Sequence, residues 1–398
     1  ARTTNFAKYL IRMGHTVTIF AASMVHNSEI NLITDQSLYR EETVDGIPYV
    51  YIKTSFYNKN GAARIRNMFQ FARRLPKVCR HFDRPDVIIA SSATPPACMA
   101  GIKLAKIYDC RVIAEISDLW PESFVAYGLI GKKNPLLKPM YAYEKRIYAK
   151  ADAIIFTMEG GRDYIIEKGW DMDHGGPVDL HKVYHINNGV DLEMFDYNKK
   201  RYQIDDCDLD NDTIFKAVYV GSVRMVNHIG ELVNVAECLK RRGNNSIKIL
   251  VYGDGDERGS LCALVRKKHL DNIVFKGEVE KKYIPFILSK CDLNLMHYGI
   301  TQIVRYGVSL NKSFEYLASG KPILLSIKPN YDYIATNGCG ISDNFQTAEE
   351  YANAIIRFSK MQREQYKNYC NNAREIAEQY DFAKLSERLL SIIFDGKI

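Results

Sequence analysis

The chain has 398 residues, of which 46% are hydrophobic and 25% are charged, a composition typical of a globular protein large enough for two or three domains. This composition excludes intrinsic disorder, collagen and coiled coil as the main architecture. The 54 Lys and Arg residues outnumber the 47 Asp and Glu residues, and the net charge of +7 is too small for a dedicated nucleic-acid-binding protein but allows a local basic patch.

The nine cysteines are scattered and form no Cys-x-x-Cys pair, so the sequence encodes neither a disulfide framework nor a zinc site. A reducing compartment is therefore expected. No apolar run approaches the roughly 18 residues that a membrane span requires. The acidic groups at 171–173 and 205–212 stand in polar connecting segments, so we expect a site that needs no metal and no other cofactor.

In the first half of the chain, helical and strand-like segments alternate. Phe6, Leu10 and Met13 recur at helical spacing, and a strand is predicted at 16–20. Because a helix followed by a buried strand is the second half of a βαβ unit, we expect roughly 20 residues, which would contain the opening strand and its glycine-containing turn, to be missing ahead of residue 1. Further strands are predicted at 86–90, 111–114 and 153–156, with helices at 97–108 and 140–149.

The alternation restarts near residue 215. Strands are predicted at 215–220, 247–252, 273–275, 292–296 and 322–326, and helices at 229–239, 261–268, 284–288 and up to Gly320. Thr347 and Glu350 form a capping box for a later helix. The pattern indicates an α/β protein with two doubly wound, Rossmann-like domains, at 1–187 and 188–375, and a closing helix at 376–398 that could pack back on the first domain.

Ligands of doubly wound sheets bind beyond the carboxyl ends of the strands, so the turns that leave the strands of the second domain form the candidate site. These turns contain Gly221, Gly253, Gly277 and the segment 306–312. The last segment enters a helix, and the free N–H groups of a helix N-terminus attract phosphate. We place Glu315 on the first turn of that helix, where its carboxylate could accept hydrogen bonds from the two hydroxyls of a ribose.

Several ordered blocks of the sequence carry a resemblance to a known family. Asn187 to Phe195, Leu250 to Gly255, Asn272 to Gly277, Cys291 to Leu293 and Asn311 to Pro322 resemble the signature blocks of the group 1 (family 4) retaining glycosyltransferases, which have the GT-B fold. The opening segment 6–17 is similar to the end of that family's first βα unit. Ser117 to Ser123 and Ser309 to Lys312 look like the branch that adds amino or deoxy sugars in O-antigen and capsule assembly.

The resemblance implies two Rossmann-like domains facing a cleft, with a nucleoside diphosphate sugar, most simply a UDP-sugar, held mainly by the second domain. It places the ribose on Glu315, the diphosphate on the backbone of 309–312 and the base near 276–277. The implied nucleotide-sugar-binding residues are Gly221, Gly253, Lys276, Gly277, Ser309, Leu310, Asn311, Lys312 and Glu315.

The sequence also departs from the family pattern. Gly307 stands where the family usually has a sugar-binding Glu, which leaves the donor sugar open. Neither of the usual phosphate-neutralising cations is in place, and Arg224 and Lys312 are the nearest candidates to stabilise the leaving diphosphate. Asp118 follows a buried strand where many relatives have a histidine, and it could contact the donor sugar or orient the acceptor hydroxyl as a base. The candidate catalytic residues are therefore Asp118, Arg224 and Lys312.

Residues 53–84 contain nine Lys and Arg residues against the single acidic residue Asp83. Aromatic and aliphatic residues are interleaved with them, which favours an amphipathic basic helix on an anionic membrane surface. The alternative is a solvated helix face.

Together these features predict a retaining glycosyltransferase that moves a sugar from a UDP-sugar to a lipid-linked saccharide in the synthesis of a bacterial surface polysaccharide. We expect it to be cytoplasmic and peripheral on the inner face of the plasma membrane, with no nucleic-acid partner. Two alternatives stay open: a non-transferring sugar-nucleotide epimerase of the same fold, and a non-catalytic nucleotide-sugar-binding subunit.

Overall fold

The computed structural model describes residues 2–26, 28–57, 61–299 and 301–394. The chain divides into two compact units: unit 1 comprises Ala1–Asn187 with Leu385–Ile398, and unit 2 comprises Asn188–Lys384. The sequence places its domain boundary at the same pair of residues, 187 and 188.

The described residues of unit 1 form alternating strands and helices. The strands are β1 (Ile19–Ala22), β2 (Tyr39–Val44), β3 (Ile47–Ile52), β4 (Val87–Ser91), β5 (Arg111–Ile116), β6 (Ala153–Phe156) and β7 (Val183–His185). The helices are α1 (Arg2–Arg12), α2 (Ala62–Cys79), α3 (Pro95–Tyr108), α4 (Glu122–Ala126), α5 (Leu137–Lys150) and α6 (Gly161–Glu167).

The strands of unit 1 make two sheets. One is parallel, in the order β4-β5-β6-β7, and the other has the order β1-β3-β2, with β3 parallel to β1 and antiparallel to β2. Side chains of both sheets enter the same core, where Val50 and Ile52 of β3 pack with Ile88 of β4 and with Phe71 and Leu75 of α2. A shared apolar core therefore joins the two sheets of unit 1, although they are not hydrogen-bonded to each other in the described residues. The strand expected ahead of residue 1 stays a prediction.

A buried acid lies between the helices of unit 1. Glu144 of α5 is 5% exposed and accepts hydrogen bonds from the hydroxyls of Tyr148 (2.6 Å) and Tyr164 (2.7 Å). Burial raises the pKa of Glu144 to about 8, although the two hydrogen bonds oppose this shift.

Unit 2 begins with α7 (Leu192–Arg201) and then alternates regularly. Its strands are β8 (Phe215–Val220), β9 (Ile247–Tyr252), β10 (Ile273–Gly277), β11 (Leu293–Met296), β12 (Ile323–Leu325) and β13 (Gly340–Ser342). The remaining helices are α8 (Gly230–Arg241), α9 (Arg258–Lys267), α10 (Ile284–Lys290), α11 (Asn311–Ala318), α12 (Ala348–Ser359), α13 (Arg363–Gln379) and α14 (Phe382–Ile393), of which α14 continues into unit 1.

The six strands of unit 2 form one parallel sheet in the order β10-β9-β8-β11-β12-β13. Near-continuous apolar strands are expected in such a sheet because helices cover both of its faces. Val218, Leu250 and Leu325 are buried in one core, and Ala217, Ile249 and Leu324 are buried in another. This strand order is the doubly wound order that the sequence predicts.

The end of the chain differs from the expected single helix at 376–398. Helix α13 ends at Gln379 and α14 begins at Phe382. The break occurs because the chain pairs with Val190, whose N–H donates to the carbonyl of Tyr380 and whose carbonyl accepts from the N–H of Phe382, both at 3.0 Å. Residues 395–398 lie outside the described residues.

Candidate functional site

The site is built where the strand order of unit 2 reverses. Strand β8 leads to β9 on one side and lies beside β11 on the other, so the loops that follow β8 and β11 diverge at this point. A crevice at such a switch point is where doubly wound sheets bind ligands. The loop after β8 starts at Gly221, and the loop after β11 runs through Gly307 into α11.

Glycines allow the strand-end loops to pack against one another. The N–H of Gly253 donates to the carbonyl of Gly277 at 2.7 Å, and a Cβ on Gly253 would lie 1.8 Å from the carbonyl oxygen of Gly221. The φ angles of Gly221, Gly253 and Gly277 are +154°, +140° and +86°. Residues other than glycine rarely adopt positive φ angles. The structure therefore brings these three predicted residues together at one edge of the sheet.

The segment that precedes α11 is anchored to the start of unit 2. Ser309 accepts hydrogen bonds from Asn188 twice, at its hydroxyl from the backbone N–H (3.1 Å) and at its carbonyl from the side-chain amide (2.9 Å). Leu310 is the N-cap residue, and its side chain makes no capping hydrogen bond. The first N–H groups of a helix have no acceptor within the helix, so those of Asn311 and Lys312 are suited to bind an anion.

Lys312 lies between this helix and β8. Its ammonium donates to the hydroxyl of Tyr219 at 2.9 Å and lies 4.1 Å from the centroid of that ring. A Cβ on Gly221 would lie 3.0 Å from the same nitrogen. Burial lowers the pKa of Lys312 to about 7 because the surrounding protein disfavours the charged form. Sequence reasoning missed Tyr219, since nothing local to β8 marks it as a partner of a residue 93 positions later.

Glu315 lies one turn later than the sequence suggests. It is the fifth residue of α11, not a first-turn residue, because the helix already begins at Asn311. Its half-buried carboxylate is 3.3 Å from the ammonium of Lys281, whose side chain is 75% exposed. Sequence reasoning did not single out Lys281. The carboxylate is thus partly accessible and has an exposed surface cation as its partner, which a ligand could replace.

The ammonium of Lys276 is bound by carboxylates of its own unit. It lies 2.6 Å from Asp206 and 2.7 Å from Asp208, and Asp208 also pairs with Lys248 at 2.6 Å. The ligand atoms of Asp206, Cys207 and Asp208 lie within 4.8 Å of one another, but both carboxylates already bind lysines. Lys276 is therefore suited to contact the base of a nucleotide through its backbone, because its charged side chain is already paired within unit 2.

Arg224 lies on the loop after β8. It is exposed and precedes a short 3-10 turn at Met225–Asn227. The amide of Asn227 closes this loop by donating to the carbonyl (2.7 Å) and hydroxyl (2.8 Å) of Ser222. The loop thus presents Arg224 at the surface of the switch point, and its contact with a diphosphate stays a prediction.

Asp118 belongs to unit 1, two residues after the end of β5. Part of its side chain reaches solvent, but the protein packed around it raises the pKa of the carboxyl group, an effect that Arg64 opposes. Such a carboxyl group holds its proton at a higher pH than usual, which suits exchange of a proton with a sugar hydroxyl.

Comparisons with known proteins agree with this architecture. Residues 1–194 match the family described as Glycosyltransferase Family 4, and residues 209–376 match the family described as Glycosyl transferases group 1. A protein of Bacillus subtilis (strain 168), named as the teichuronic acid biosynthesis glycosyltransferase TuaH, is 25% identical over 274 residues, which are 65% of this chain and 63% of the relative. The match thus spans less than two thirds of that relative's length.

Two solved structures show the same fold. An Escherichia coli structure described as trehalose-6-phosphate bound with UDP-2-fluoro glucose has a TM-score of 0.71 at 12% identity, over 99% of this chain and 95% of its own. Anabaena Alr3699/HepE, in complex with UDP and glucose, has a TM-score of 0.60 at 16% identity, over 88% and 87% of the two chains. These likenesses confirm the predicted fold of two Rossmann-like α/β domains.

Proposed function

Because the chain belongs to the family 4, group 1 glycosyltransferases, we propose that it transfers a sugar from a nucleoside diphosphate, most simply UDP, to a saccharide acceptor. The observation that carries this proposal is the position of Lys312, a lysine with a lowered pKa at the N-terminus of α11 in the switch-point crevice. UDP is favoured because Anabaena HepE was solved with UDP and glucose.

The proposed chemistry follows from the charge that develops when the anomeric bond breaks. The leaving diphosphate gains negative charge, and the Lys312 ammonium and the α11 N–H groups are placed to stabilise it. Loss of one such positioned donor typically costs about 2.7–4 kcal/mol of transition-state stabilisation. Glu315 would accept the ribose hydroxyls, and Arg224 would add a second cation. We infer retention of the anomeric configuration, with Asp118 orienting the acceptor hydroxyl.

We further infer that the acceptor is a lipid-linked saccharide of a bacterial surface polysaccharide such as a capsule or O-antigen. The support in unit 1 is one face of α2, where Ile65 and Phe69 are 56% and 58% exposed and are followed by the exposed Arg73 and Lys77. Exposed apolar side chains beside cations suit the inner face of an anionic membrane. Lys59 of the basic segment lies outside the described residues. Among the described helices, none has the length and apolarity that crossing a bilayer requires.

Binding and turnover test the proposal separately. UDP and a panel of UDP-, GDP- and ADP-sugars are screened by thermal shift; a ligand at 100 times its Kd should stabilise the protein by roughly 2.7 kcal/mol. Glu315→Ala should weaken binding of the best ligand, whereas Glu378→Ala, an exposed residue of α13, should not. The absence of any shift, or full affinity in Glu315→Ala, would refute the nucleotide site.

Turnover is then measured with membrane extracts as acceptor. Sugar incorporated into the lipid fraction supports transfer. Release of an epimerised free sugar nucleotide without acceptor would support the epimerase alternative, and binding with no turnover against any extract would support a binding subunit.

A further inference from the structure

A second feature of unit 2 lies next to the candidate diphosphate site. A cavity of about 280 Å³ opens at the carboxyl ends of β11, β12 and β13, and its lining includes His228, Glu231, His297, Phe345, Thr347 and Tyr351. We call it the polar cavity. Sequence reasoning did not assemble it, since its lining residues come from four separate loops and helix starts.

The polar cavity contains hydrogen-bonding atoms that the protein does not use. His297 is 6% exposed and Tyr351 is 1% exposed, yet His297 Nδ1 and the Tyr351 hydroxyl have no hydrogen-bond partner among the described residues. Buried polar atoms are nearly always satisfied, so two unpaired atoms on side chains that line the same cavity point to a ligand with polar groups. Stacking holds both side chains in place. The ring centroids of His297 and Tyr351 are 5.6 Å apart, and those of Tyr351 and Phe345 are 4.9 Å apart.

The charge of the polar cavity selects against a phosphate. Glu231 contributes a half-buried carboxylate that accepts a hydrogen bond from the side-chain amide of Asn234 at 3.0 Å. Burial, His228 and Lys312 lower the pKa of His297 to about 4, so its imidazole is neutral near pH 7. A carboxylate and a neutral imidazole accept hydrogen bonds, and the aromatic rings offer apolar surface. This combination fits a neutral ring that bears hydroxyl groups.

The volume of the polar cavity narrows the choice of ligand. Pockets for drug-sized ligands measure roughly 300–1,000 Å³, so a cavity of about 280 Å³ accommodates one ring rather than a whole nucleotide.

The polar cavity and the candidate diphosphate site share the loop after β8, which contributes His228 to the cavity lining. The charge of Lys312 contributes to the lowered pKa of His297, and Tyr219, which binds Lys312, contributes to the raised pKa of Tyr351. His228 ends the turn that Arg224 begins, on the loop after β8.

We propose that the polar cavity binds the sugar ring of the nucleotide-sugar donor, with Glu231 and His297 accepting hydrogen bonds from its hydroxyl groups and Tyr351 supplying a third polar contact. This inference rests on the proposed function, because the sugar reaches the cavity attached to the diphosphate. It assigns donor-sugar selection to three residues of unit 2.

Calorimetric titration of UDP and of the UDP-sugar selected by the thermal-shift screen tests this assignment. In Glu231→Gln, the affinity for UDP should stay within twofold of the wild type, and the affinity for the UDP-sugar should fall about tenfold or more, because a neutral amide oxygen is a weaker acceptor than the carboxylate it replaces. Tyr351→Phe should also weaken binding of the UDP-sugar and leave binding of UDP unchanged. Since the Tyr351 hydroxyl has no hydrogen-bond partner among the described residues, its removal should leave the fold intact. The matched control is Glu237→Gln on the same helix, a surface residue that pairs with Lys268.

A direct readout comes from NMR of protein labelled at histidine, with the His297 signal assigned from a His297→Gln variant. The signal should shift clearly more on addition of the UDP-sugar than on addition of UDP, which reaches His297 only through the charge of Lys312. If UDP binds but the variants weaken UDP and UDP-sugar equally, or if UDP alone moves the His297 signal in full, the assignment of the polar cavity is overturned and the nucleotide site stands. If UDP and every nucleotide sugar fail to bind, the proposed function falls, and this inference falls with it.

Discussion

The pH dependence of donor binding should report on Lys312. Burial lowers the pKa of its ammonium to about 7 in the free protein, and a bound diphosphate would favour the charged form and raise this pKa again. Binding must then take up a proton whenever the free lysine is neutral. The affinity for a nucleotide sugar should therefore be nearly constant below pH 6 and fall as the pH rises through 7.

The size of the effect follows from one titrating group. With a free pKa of about 7 and a bound pKa above about 9, the Kd should rise about tenfold between pH 6 and pH 8 and approach about 100-fold by pH 9. Proton uptake should be about 0.5 per ligand at pH 7 and about 0.9 at pH 8.

Calorimetry in buffers of different ionisation enthalpy measures both the Kd and the proton uptake. A UDP-sugar is the appropriate ligand because a terminal phosphate like that of UDP itself titrates near pH 6. Lys312→Met should bind more weakly at pH 6 and show a flat profile. Lys328→Met, an exposed lysine of unit 2, should keep the profile of the wild type. A wild-type profile as flat as that of Lys312→Met, or no proton uptake at pH 8, would refute the reasoning.

Three further predictions test other parts of the molecule. Because the folded-state pKa of Glu144 is raised to about 8, the native state retains a proton that the unfolded chain loses, so the free energy of unfolding should fall between about pH 4.5 and 8 by up to about 1.4 kcal/mol per unit. Urea unfolding of Glu144→Gln at pH 5, 6.5 and 8 should lack this slope; an unchanged slope would contradict the assignment. Gly253→Ala should lower the Tm and the nucleotide affinity together because its Cβ has no room, whereas Gly259→Ala in α9, where the space is open, should be neutral or stabilising by about 0.5–1 kcal/mol in the same melting assay. Replacement of both Ile65 and Phe69 by Ser should weaken binding to anionic vesicles, measured by sedimentation, about tenfold or more, because the apolar contact with the bilayer is lost. Neutral vesicles should bind neither the wild type nor the variant. Equal binding of both proteins to anionic vesicles would show that this face is only solvated.

The fold could be predicted largely from local patterns. Apolar runs such as 215–220 and 247–252 are observed as β8 and β9 within the predicted bounds, because strands buried on both faces must be apolar along their whole length. The hairpin of β2 and β3 was missed, although Asp45-Gly46 between two strand-like segments is its usual turn signal, and both residues have positive φ.

The candidate site could be predicted at the strand-end glycines from their local pattern, and at Lys312 and Glu315 from the resemblance of their sequence block to a known family. The glycines at 221, 253 and 277 are recognisable because loops at strand ends need their conformational freedom. Contacts between distant side chains left no local signal: Lys276 binds Asp206, which lies 70 residues away, and His297 stacks on Tyr351 of another element.

The ion cluster of Lys276, Lys248, Asp206 and Asp208 also bears on how related sequences should differ. Lys276 has a side chain 16% exposed and depends on two carboxylates from the connecting segment before β8. A substitution that removed one carboxylate would leave a lysine with little access to water and a single acidic partner, and loss of the lysine would leave Asp206 and Asp208 close together without the cation they share. Substitutions at these positions should therefore be correlated. An alignment of relatives should show positions 206, 208 and 276 gaining and losing their charges together.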